Sequence, residues 1–487
     1  MSSKTATNPS VRVAGQTVPA LGSGVLPWIV VTAAAAVLRA LYLSSKSLTL
    51  DEGFSVFLAR TSFAEFTHRI AHSELNMALY YGLLRLWVHL GASVFWMRLL
   101  SVAFGVATVP VIYFIGLRLF NRRTAIVAAL LMVLHPAHVA LSQDARSYSL
   151  VVLLVSVSSL LFLRTIEDPS RLNWAGYAVV TALALYAHFF AALVILAQAI
   201  SLVVAKVEWP VWRALLKAAF VTAVLAAPIA VFLLNLPRLE LAWVPGLDRR
   251  QMLNVLYFLT LSKFRGVTYL VLWASAIGAS VSQSSSRTPR WPCWFVLSWL
   301  LVPVAVTVVA STVRPLLVER FLAICIPASV LLAAAGFDSL LARSRLIAAV
   351  VLMLLVLYSA RSLRFFYTHP DINDDWRSAT AHILAHAQAR DEVVVLPAYA
   401  RFTFDYYLDR LGASAPDLQI TGDVLSAPSS PTSQALWFLS SDFPAAGAGE
   451  AQVAEFLKRH QEYCGEPPAI FTRVRVCEFH PCKVDSN

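Results

Sequence analysis

Two adjacent carboxylates, Asp51 and Glu52, follow soon after the first long apolar run of the chain. An acidic pair beside a lipid bilayer costs free energy unless it is solvated, paired or used in chemistry. Thr49 and Glu52 have the spacing of a capping box, which gives Glu52 a structural role. Adjacent helical residues point about 100° apart, so Asp51 is the carboxylate that can meet a substrate and accept a proton from it. An ordinary role for Asp51 as a first-turn acid stays open.

Three further clusters place charged, phenolic or imidazole side chains at the ends of apolar runs. Arginine suits a phosphate because its planar guanidinium donates two parallel hydrogen bonds and keeps its charge. Each cluster also has a plain structural explanation: a helix-start acid, an interfacial aromatic residue or filler, or a local ion pair. The clusters are Asp144 with Arg146 and Tyr148, His188, and Glu319 with Arg320.

The composition predicts a polytopic α-helical membrane protein. Of the 487 residues, 58% are hydrophobic and only 14% are charged. Repeated apolar runs approach the length that spans a bilayer. The net charge of +11 comes largely from Lys and Arg in short connectors, as the positive-inside rule expects, and no compact basic motif indicates nucleic-acid binding.

The basic connectors also predict sidedness. Lys4 and Arg12 lie in a polar tail, residues 1–24, which is expected in the cytoplasm before an uncleaved first span. That span delivers the loop 44–93 to the outer side, where Ala78–Leu90 is too short to cross and is predicted to be an interfacial or re-entrant helix. The count is about eleven spans, and all four polar clusters then lie on the outer face.

Beyond residue 365 the composition changes to short strand-like runs that alternate with helical patterns. This predicts an extracytoplasmic α/β domain over residues 366–487, large enough for its own core. In an oxidising compartment, one disulfide is expected among Cys464, Cys477 and Cys482, with the pairing open and one thiol left over. The predicted strands are Glu392–Leu396, Ala435–Leu439 and Ile470–Phe479, and the predicted helices are Trp376–Ala389 and Ala451–His460.

One carboxylate base and several fixed cations on the same membrane face suit the transfer of a sugar from a lipid phosphate. Because the leaving group is already a phosphate, bond cleavage needs charge stabilisation rather than a general acid. A lipid-linked sugar flippase is the alternative, but it would favour charged residues deep within the spans, which are nearly devoid of them. A non-catalytic outer-domain scaffold would make Asp51 and Arg320 dispensable.

The ordered motifs resemble the GT-C superfamily of glycosyltransferases that use polyprenyl-phosphate sugars. Within it, the chain is most similar to the protein O-mannosyltransferase and aminoarabinose-transferase-like branch. Asp375-Trp376-Arg377 opens the C-terminal domain much as in bacterial members. The matching motifs are Leu50-Asp51-Glu52-Gly53-Phe54-Ser55, Leu79-Tyr80-Tyr81-Gly82-Leu83-Leu84, Ser142-Gln143-Asp144-Ala145-Arg146-Ser147-Tyr148 and Glu319-Arg320-Phe321.

The resemblance implies a GT-C-like membrane domain over residues 25–365, with about 11 to 13 transmembrane helices. It implies Asp51 as the catalytic base and Arg320 as a phosphate-facing arginine. Two features depart from the family pattern: Met77-Ala78 replace a usual Pro-Pro, and Asp144 stands where Glu is commoner. Some relatives carry a divalent cation, so the use of a divalent cation by this protein stays open. No set of ligands in the sequence requires one.

The predicted reaction is inverting transfer from a polyprenyl-phosphate sugar to a protein, lipid or glycan acceptor. The enzyme is expected in the plasma (inner) membrane, with its C-terminal domain periplasmic or extracellular. Phe189 and Trp243 are further candidates for lining the lipid or sugar site. The predicted catalytic residues are Asp51 and Asp144, and the predicted substrate-binding residues are Glu52, Tyr81, Arg146, Tyr148, His188, Glu319 and Arg320.

Overall fold

A computed structural model of the chain describes residues 25–205, 209–235, 244, 246–260, 266–282, 291–369, 374–412, 418–421, 435–441, 453–456, 458 and 463–482. The chain divides into two compact units. The first unit comprises Met1–Leu41, Thr67–Leu83 and Arg98–Phe365. The second unit comprises Tyr42–Phe66, Leu84–Met97 and Phe366–Asn487, so it combines two segments of the predicted outer loop with the C-terminal segment.

Helices dominate the described chain up to residue 368. Short 3-10 turns at Leu75–Met77 and Glu319–Cys325 lead directly into two of them. The helices are α1 (Val25–Ala40), α2 (Leu50–Arg60), α3 (Phe63–His72), α4 (Ala78–Trp87), α5 (Val94–Leu119), α6 (Arg122–Leu134), α7 (Pro136–Ser142), α8 (Tyr148–Glu167), α9 (Arg171–Ala187), α10 (Ala191–Ala205), α11 (Trp209–Leu225), α12 (Ala227–Asn235), α13 (Arg249–Thr260), α14 (Gly266–Ser282), α15 (Trp291–Ser311), α16 (Ile326–Arg343) and α17 (Arg345–Thr368).

Every apolar run predicted to be a span is a helix or a bent pair of helices. Within the described ranges, five helices are long and apolar enough to cross a membrane, and up to seven spans result if each of two bent pairs is one span. The bent pairs are α6 with α7, at 59°, and α11 with α12, at 56°. The remaining predicted spans correspond to the shorter helices α1, α9, α10 and α14. The prediction of a multi-pass membrane protein is therefore confirmed.

Helix α16 is the core of the first unit. Every residue from Ile326 to Phe337 is buried, and the helix packs against α6, α14 and α15. Its run of small residues allows backbones to approach closely, which is how helices associate in a medium as apolar as themselves. The tightest approach is at Gly336, where a Cβ would lie 1.9 Å from the carbonyl oxygen of Leu272 in α14.

The second unit is built on a mixed β-sheet. The helices α18 (Trp376–His386) and α19 (Arg401–Leu411), with a 3-10 turn at Ala398–Ala400, accompany strands β1 (Glu392–Leu396), β2 (Gln419–Thr421), β3 (Leu436–Ser441), β4 (Tyr463–Gly465), β5 (Ala469–Phe471) and β6 (Val474–Pro481). The strand order is β2-β1-β3-β6-β4, with β5 also paired to β6. Strand β1 is parallel to β2 and β3, whereas β6 is antiparallel to β3.

The expected α/β content of the C-terminal segment is confirmed. Strand β1 has the predicted bounds, and the third predicted strand is a hairpin of β5 and β6. Of the predicted helix Ala451–His460, residues 453–456 and 458 are described, and they are helical. Cys464 and Cys482 form the expected disulfide, and Cys477 is the remaining thiol of the three.

We expect the change Gly336→Ala to lower the thermal unfolding midpoint of the protein in detergent micelles. The added methyl would overlap the Leu272 carbonyl, and overpacking of this kind costs about 1–3 kcal/mol. Gly278→Ala is the matched control, because a Cβ at Gly278 in α14 meets nothing within 4 Å and alanine favours the helix. Equal midpoints for the two variants would contradict the close packing of α14 and α16.

Candidate active site

In the second unit, a capping box fixes the start of the helix that carries Asp51. Thr49 Oγ1 accepts from the Glu52 backbone N–H at 3.2 Å, and Glu52 Oε2 accepts from the Thr49 N–H at 2.9 Å. Glu52 is only 1% exposed, whereas Asp51 is half-buried on the neighbouring face of α2. The predicted capping role of Glu52 is confirmed, and a contact of Glu52 with substrate remains a prediction.

Helix α2 is held tightly against the C-terminal segment of the same unit. A Cβ on Gly53 would lie 2.0 Å from Thr403 Oγ1 and 2.8 Å from Thr403 Cα, so only glycine allows this approach to α19. The Phe57 ring stacks on Phe402 with the centroids 4.2 Å apart. The hydroxyl of Tyr407 accepts from the backbone N–H of Leu48 at 2.8 Å. These contacts place Asp51 on a rigid element.

In the first unit, a broken helix places the Asp144–Arg146 turn. Pro136 cannot continue the hydrogen bonds of α6, so α6 ends at Leu134 and α7 leaves at 59°. The break leaves carbonyl groups of α6 without helical partners. Arg39, which is 0% exposed, donates through Nη2 to the Met132 carbonyl oxygen at 3.0 Å and to His138 Nδ1 at 2.8 Å.

The turn that follows α7 is tied to three neighbouring helices. Gln143 Nε2 donates to the carbonyl oxygens of Arg39 and Leu41, at 2.9 Å and 2.8 Å, beyond the end of α1. Ser147 Oγ donates to the Ala187 carbonyl oxygen at 2.7 Å, at the end of α9. Ser101 Oγ of α5 donates to the Arg146 carbonyl oxygen at 3.4 Å. The backbone of the turn is therefore preorganised.

Arg146 extends from this turn towards the motif at the start of α4. Its Nη1 donates to the Tyr81 hydroxyl oxygen at 2.9 Å, and the Tyr81 hydroxyl donates to Glu74 Oε2 at 3.3 Å. Tyr81 is fully buried. The chain of contacts from carboxylate to phenol to guanidinium fixes the direction of the arginine. Two predicted site residues, Tyr81 and Arg146, are thus brought together.

Arg320 and His188 converge on the same end of α8. The guanidinium carbon of Arg320 lies 5.7 Å from the centroid of the Tyr148 ring, within the range of a cation–π contact. The His188 ring lies 6.1 Å from Tyr148 and 5.0 Å from Phe321 between centroids. Sequence positions more than 130 residues apart therefore meet at one place. We call Arg146, His188 and Arg320 the cationic cluster.

The protonation of His188 follows from its contacts. Its Nδ1 accepts from the Phe190 backbone N–H at 3.2 Å, so the ring proton resides on Nε2. Nε2 is buried and has no hydrogen-bond partner within the described parts of the chain. His188 lies in the turn between α9 and α10, where burial lowers its pKa to about 3, and Arg146 and Arg320 act in the same direction. The imidazole is therefore a neutral donor beside two guanidinium groups.

This arrangement of donors suits an anion with several oxygens, such as a phosphate. The opposite end of α8 is different. There Glu167 pairs with Arg118, and nearby Arg123 Nη1 lies 3.0 Å from Asp338 Oδ1. Since α8 has 20 residues and rises about 1.5 Å per residue, the two ends lie about 30 Å apart.

The remaining predicted residues are placed as follows. Asp144 begins the turn, and its backbone carbonyl oxygen accepts from the Arg146 N–H at 2.7 Å. Glu319 begins the 3-10 turn that also holds Arg320. The backbone N–H of Phe189 donates to Asn76 Oδ1 at 2.9 Å. Trp243 lies outside the described residues.

The described residues contain no group of three or more His, Cys, Asp or Glu side chains that could hold a metal ion. The donor set of the cationic cluster does not suit a cation, because guanidinium groups and an imidazole N–H repel it.

Comparison with known proteins gives a family match and a shared fold. Residues 78–234 match the dolichyl-phosphate-mannose-protein mannosyltransferase family. No curated protein sequence matches the chain. The structure resembles apo ArnT from Cupriavidus metallidurans, with a TM-score of 0.61, 14% identity, and coverage of 94% of this chain and 98% of that chain.

Two other solved structures share this fold. ArnT bound to undecaprenyl phosphate has a TM-score of 0.59 and 15% identity, and covers 93% of this chain and 98% of its own. The Archaeoglobus fulgidus oligosaccharyltransferase in its apo form has a TM-score of 0.51 and 11% identity, over 94% of this chain and 75% of its own. The chain therefore shares the fold of these solved structures.

The sequence did not indicate several residues that hold the site in place. Glu74 accepts a hydrogen bond from the Tyr81 hydroxyl, and Asn76 accepts one from the Phe189 backbone N–H. Arg39 donates to a carbonyl group at the helix break. One signal was available, since Glu74 is an isolated acid just before the short apolar run that begins at Ala78. The role of Arg39 was hidden, because a basic residue at the end of an apolar helix is also what a simple interfacial anchor provides.

Protonation of His188 should make the protein less stable in acid. Its pKa is lower in the folded state than the ordinary value of about 6.5, so the unfolded chain binds the proton first and stability falls as the pH drops from about 6.5 towards about 3. His188→Asn should reduce the loss of thermal stability between neutral and mildly acidic buffer, measured by unfolding in micelles. His72→Asn, on the exposed face of α3, is the control and should keep the full loss.

Proposed function

We propose that the protein transfers a sugar from a polyprenyl-phosphate donor to an acceptor hydroxyl at the outer face of the membrane, with inversion and with Asp51 as general base. The observation that carries the proposal is the cationic cluster. Arg320 and the buried His188 lie against the Tyr148 ring, at the end of a helix long enough to cross a membrane, and the charges of Arg146 and Arg320 both act on His188.

The donor class follows from the chemistry of that cluster. A phosphate monoester or diester presents several charged oxygens, and arginine binds them through planar, charge-assisted hydrogen bonds. The similar ArnT structure is bound to undecaprenyl phosphate. The family match also supports a lipid-linked sugar, since its members are described as dolichyl-phosphate-mannose dependent. We assign the phosphate group of the donor to Arg146, His188 and Arg320.

The proposed reaction is a direct displacement at the anomeric carbon. The acceptor hydroxyl oxygen forms a bond to that carbon while Asp51 takes the hydroxyl proton. The bond from the anomeric carbon to the phosphate oxygen breaks, and its electron pair stays on the polyprenyl phosphate. Attack from the side opposite the leaving group inverts the anomeric configuration.

The cationic cluster replaces the general acid of a glycosidase. Negative charge increases on the phosphate as the bond breaks, and fixed donors that are already oriented stabilise it without reorganisation. Arg146 is oriented by Tyr81 and Arg320 by the Tyr148 ring. A neutral His188 adds a third donor without adding like-charge repulsion to the empty cluster.

The orientation in the membrane is part of the proposal. Basic residues concentrate at the end of the first unit that carries Arg118 and Arg123, which the positive-inside rule assigns to the cytoplasm. The cationic cluster then faces outward. The Cys464–Cys482 disulfide supports an oxidising compartment for the C-terminal segment.

The direct test uses purified protein and a polyprenyl-phosphate donor with a radiolabelled sugar. Transfer or release of the label supports the enzyme, whereas a flippase or a scaffold leaves the sugar–phosphate bond intact. Asp51→Asn should lower the transfer rate by about 10²–10⁴-fold, because the base is lost, while donor binding persists.

The control for that variant is Asp409→Asn. It removes the same charge from the same unit, at a carboxylate paired with Arg60 on the surface. Its rate should stay close to that of the wild type, since exposed ion pairs contribute little. Full activity of a folded Asp51→Asn protein would show that another group is the base.

Arg146→Lys and Arg320→Lys should each raise the donor KM by about tenfold. A lysine keeps the positive charge but loses the planar fork, and it cannot preserve the contacts with Tyr81 and Tyr148. Arg123→Lys, at the other end of the first unit, is the control. The donor KM of each variant is measured from initial rates. An unchanged donor KM in both cluster variants would show that the cationic cluster does not bind the phosphate of the donor.

A further inference from the structure

In the sheet of the second unit, the order of the strands reverses direction at β1. Strand β1 is parallel to both of its neighbours, and the chain passes from β1 through α19 to β2 on one side. It then reaches β3 on the other side of β1. This is a topological switch point, and in open α/β sheets ligands bind at the carboxyl ends of the strands at such a point.

Polar side chains occupy the carboxyl ends of both strands. Tyr399 lies in the 3-10 turn that follows the end of β1 at Leu396, and Ser441 is the last residue of β3. Ser441 Oγ donates to Asp374 Oδ2 at 3.1 Å, which holds the aspartate at the same edge. We call Asp374, Tyr399 and Ser441 the edge cluster.

The edge cluster lies beside the proposed base. The 3-10 turn Ala398–Ala400 packs against α2, whose first turn carries Asp51. Burial, together with the negative charges of Asp51 and Asp374, raises the pKa of Tyr399 to about 12. Both carboxylates are therefore close enough to act on the phenol, which stays protonated and keeps its hydrogen to donate.

The chemistry of the cluster selects a ligand class. Ser441 is buried and its hydroxyl donates to Asp374, so it holds that carboxylate in place. The carboxylates of Asp374 and of the neighbouring Asp51 accept hydrogen bonds, and the phenol of Tyr399 can both donate and accept. A ligand with several hydroxyl groups satisfies all of them, and the Tyr399 side, which is 39% exposed, is reachable from solvent. A phosphorylated ligand would be repelled by Asp51 and Asp374. The acidic edge of the second unit thus differs from the cationic cluster of the first.

We propose that the edge cluster is an acceptor subsite that binds the hydroxyl groups of a neutral carbohydrate and presents one of them to Asp51. This inference rests on the proposed function for the role of Asp51. It names the acceptor class as a glycan without phosphate groups. Tyr399 and Asp374 are its positioning residues, and both belong to the C-terminal segment.

Binding can be measured without any donor. Saturation-transfer NMR on the full-length protein in nanodiscs would compare three probes: methyl β-D-glucopyranoside, its 6-phosphate, and a threonine-containing tripeptide. The neutral glycoside should bind. Its affinity should fall about threefold to tenfold in Tyr399→Phe, because that change removes one hydrogen bond from the bound state. It should also fall in Ser441→Ala, because the buried Ser441 hydroxyl no longer holds Asp374 in place.

Asp374→Asn makes a prediction of opposite sign. It should improve binding of the 6-phosphate relative to the neutral glycoside, because one repelling charge is gone. Asp409→Asn is the charge-matched control, and Tyr42→Phe, which removes an exposed phenol from the same unit, is the control for Tyr399. Thermal unfolding establishes that each variant is folded.

The outcomes separate this inference from the proposed function. The proposed subsite is wrong if the neutral glycoside does not bind or if only the tripeptide binds. It is also wrong if the affinity for the glycoside is the same in the wild type and in the Tyr399, Ser441 and Asp374 variants. A second outcome supports the subsite and contradicts the proposed function. In that case the neutral glycoside binds and the edge-cluster variants weaken its binding, but the protein never cleaves a polyprenyl-phosphate sugar. Where transfer occurs, Tyr399→Phe should raise the acceptor KM and not the donor KM.

Discussion

In the first unit, the turn that carries Asp144 and Arg146 depends on one buried guanidinium. A helix that breaks inside an apolar region exposes carbonyl groups that no water can satisfy, and such a break survives only if other groups in the protein bind them. Arg39 does this for the break between α6 and α7. The turn with Asp144 and Arg146 follows directly, and Gln143 binds it back to the residues beside Arg39. The position of Arg146 is thus a consequence of a helix break whose carbonyl groups Arg39 binds.

In the second unit, the position of Asp51 depends on packing rather than on charge. Asp51 is fixed because the capping box sets the first turn of α2 and because Gly53 lets that helix lie directly against α19. A loop that follows a transmembrane helix would otherwise be free to move. Its packing against α19 and the 3-10 turn holds Asp51, which in our proposal is the base, beside the edge cluster.

The two units differ in their polar side chains. Arginines and a neutral imidazole form the cationic cluster of the first, which in our proposal stabilises the negative charge of a leaving phosphate. Carboxylates and a phenol lie at the edge of the second, where in our proposal an acceptor hydroxyl loses its proton. A phosphate is attracted to the first set of groups and repelled by the second.

The sequence by itself determined the features that depend on neighbouring residues. Apolar runs specified the membrane helices, the Thr49–Glu52 spacing specified the capping box, and the strand at Glu392–Leu396 was found with its exact bounds. Ordered motifs also identified Arg146, Tyr148 and Arg320 as candidates. The tertiary structure decided which distant residues meet. No local pattern indicates that Arg39 would bind the carbonyls of α6 or that Tyr399 would follow a strand end beside α2. Such contacts depend on how helices and strands pack, and periodicity along the chain carries no information about that.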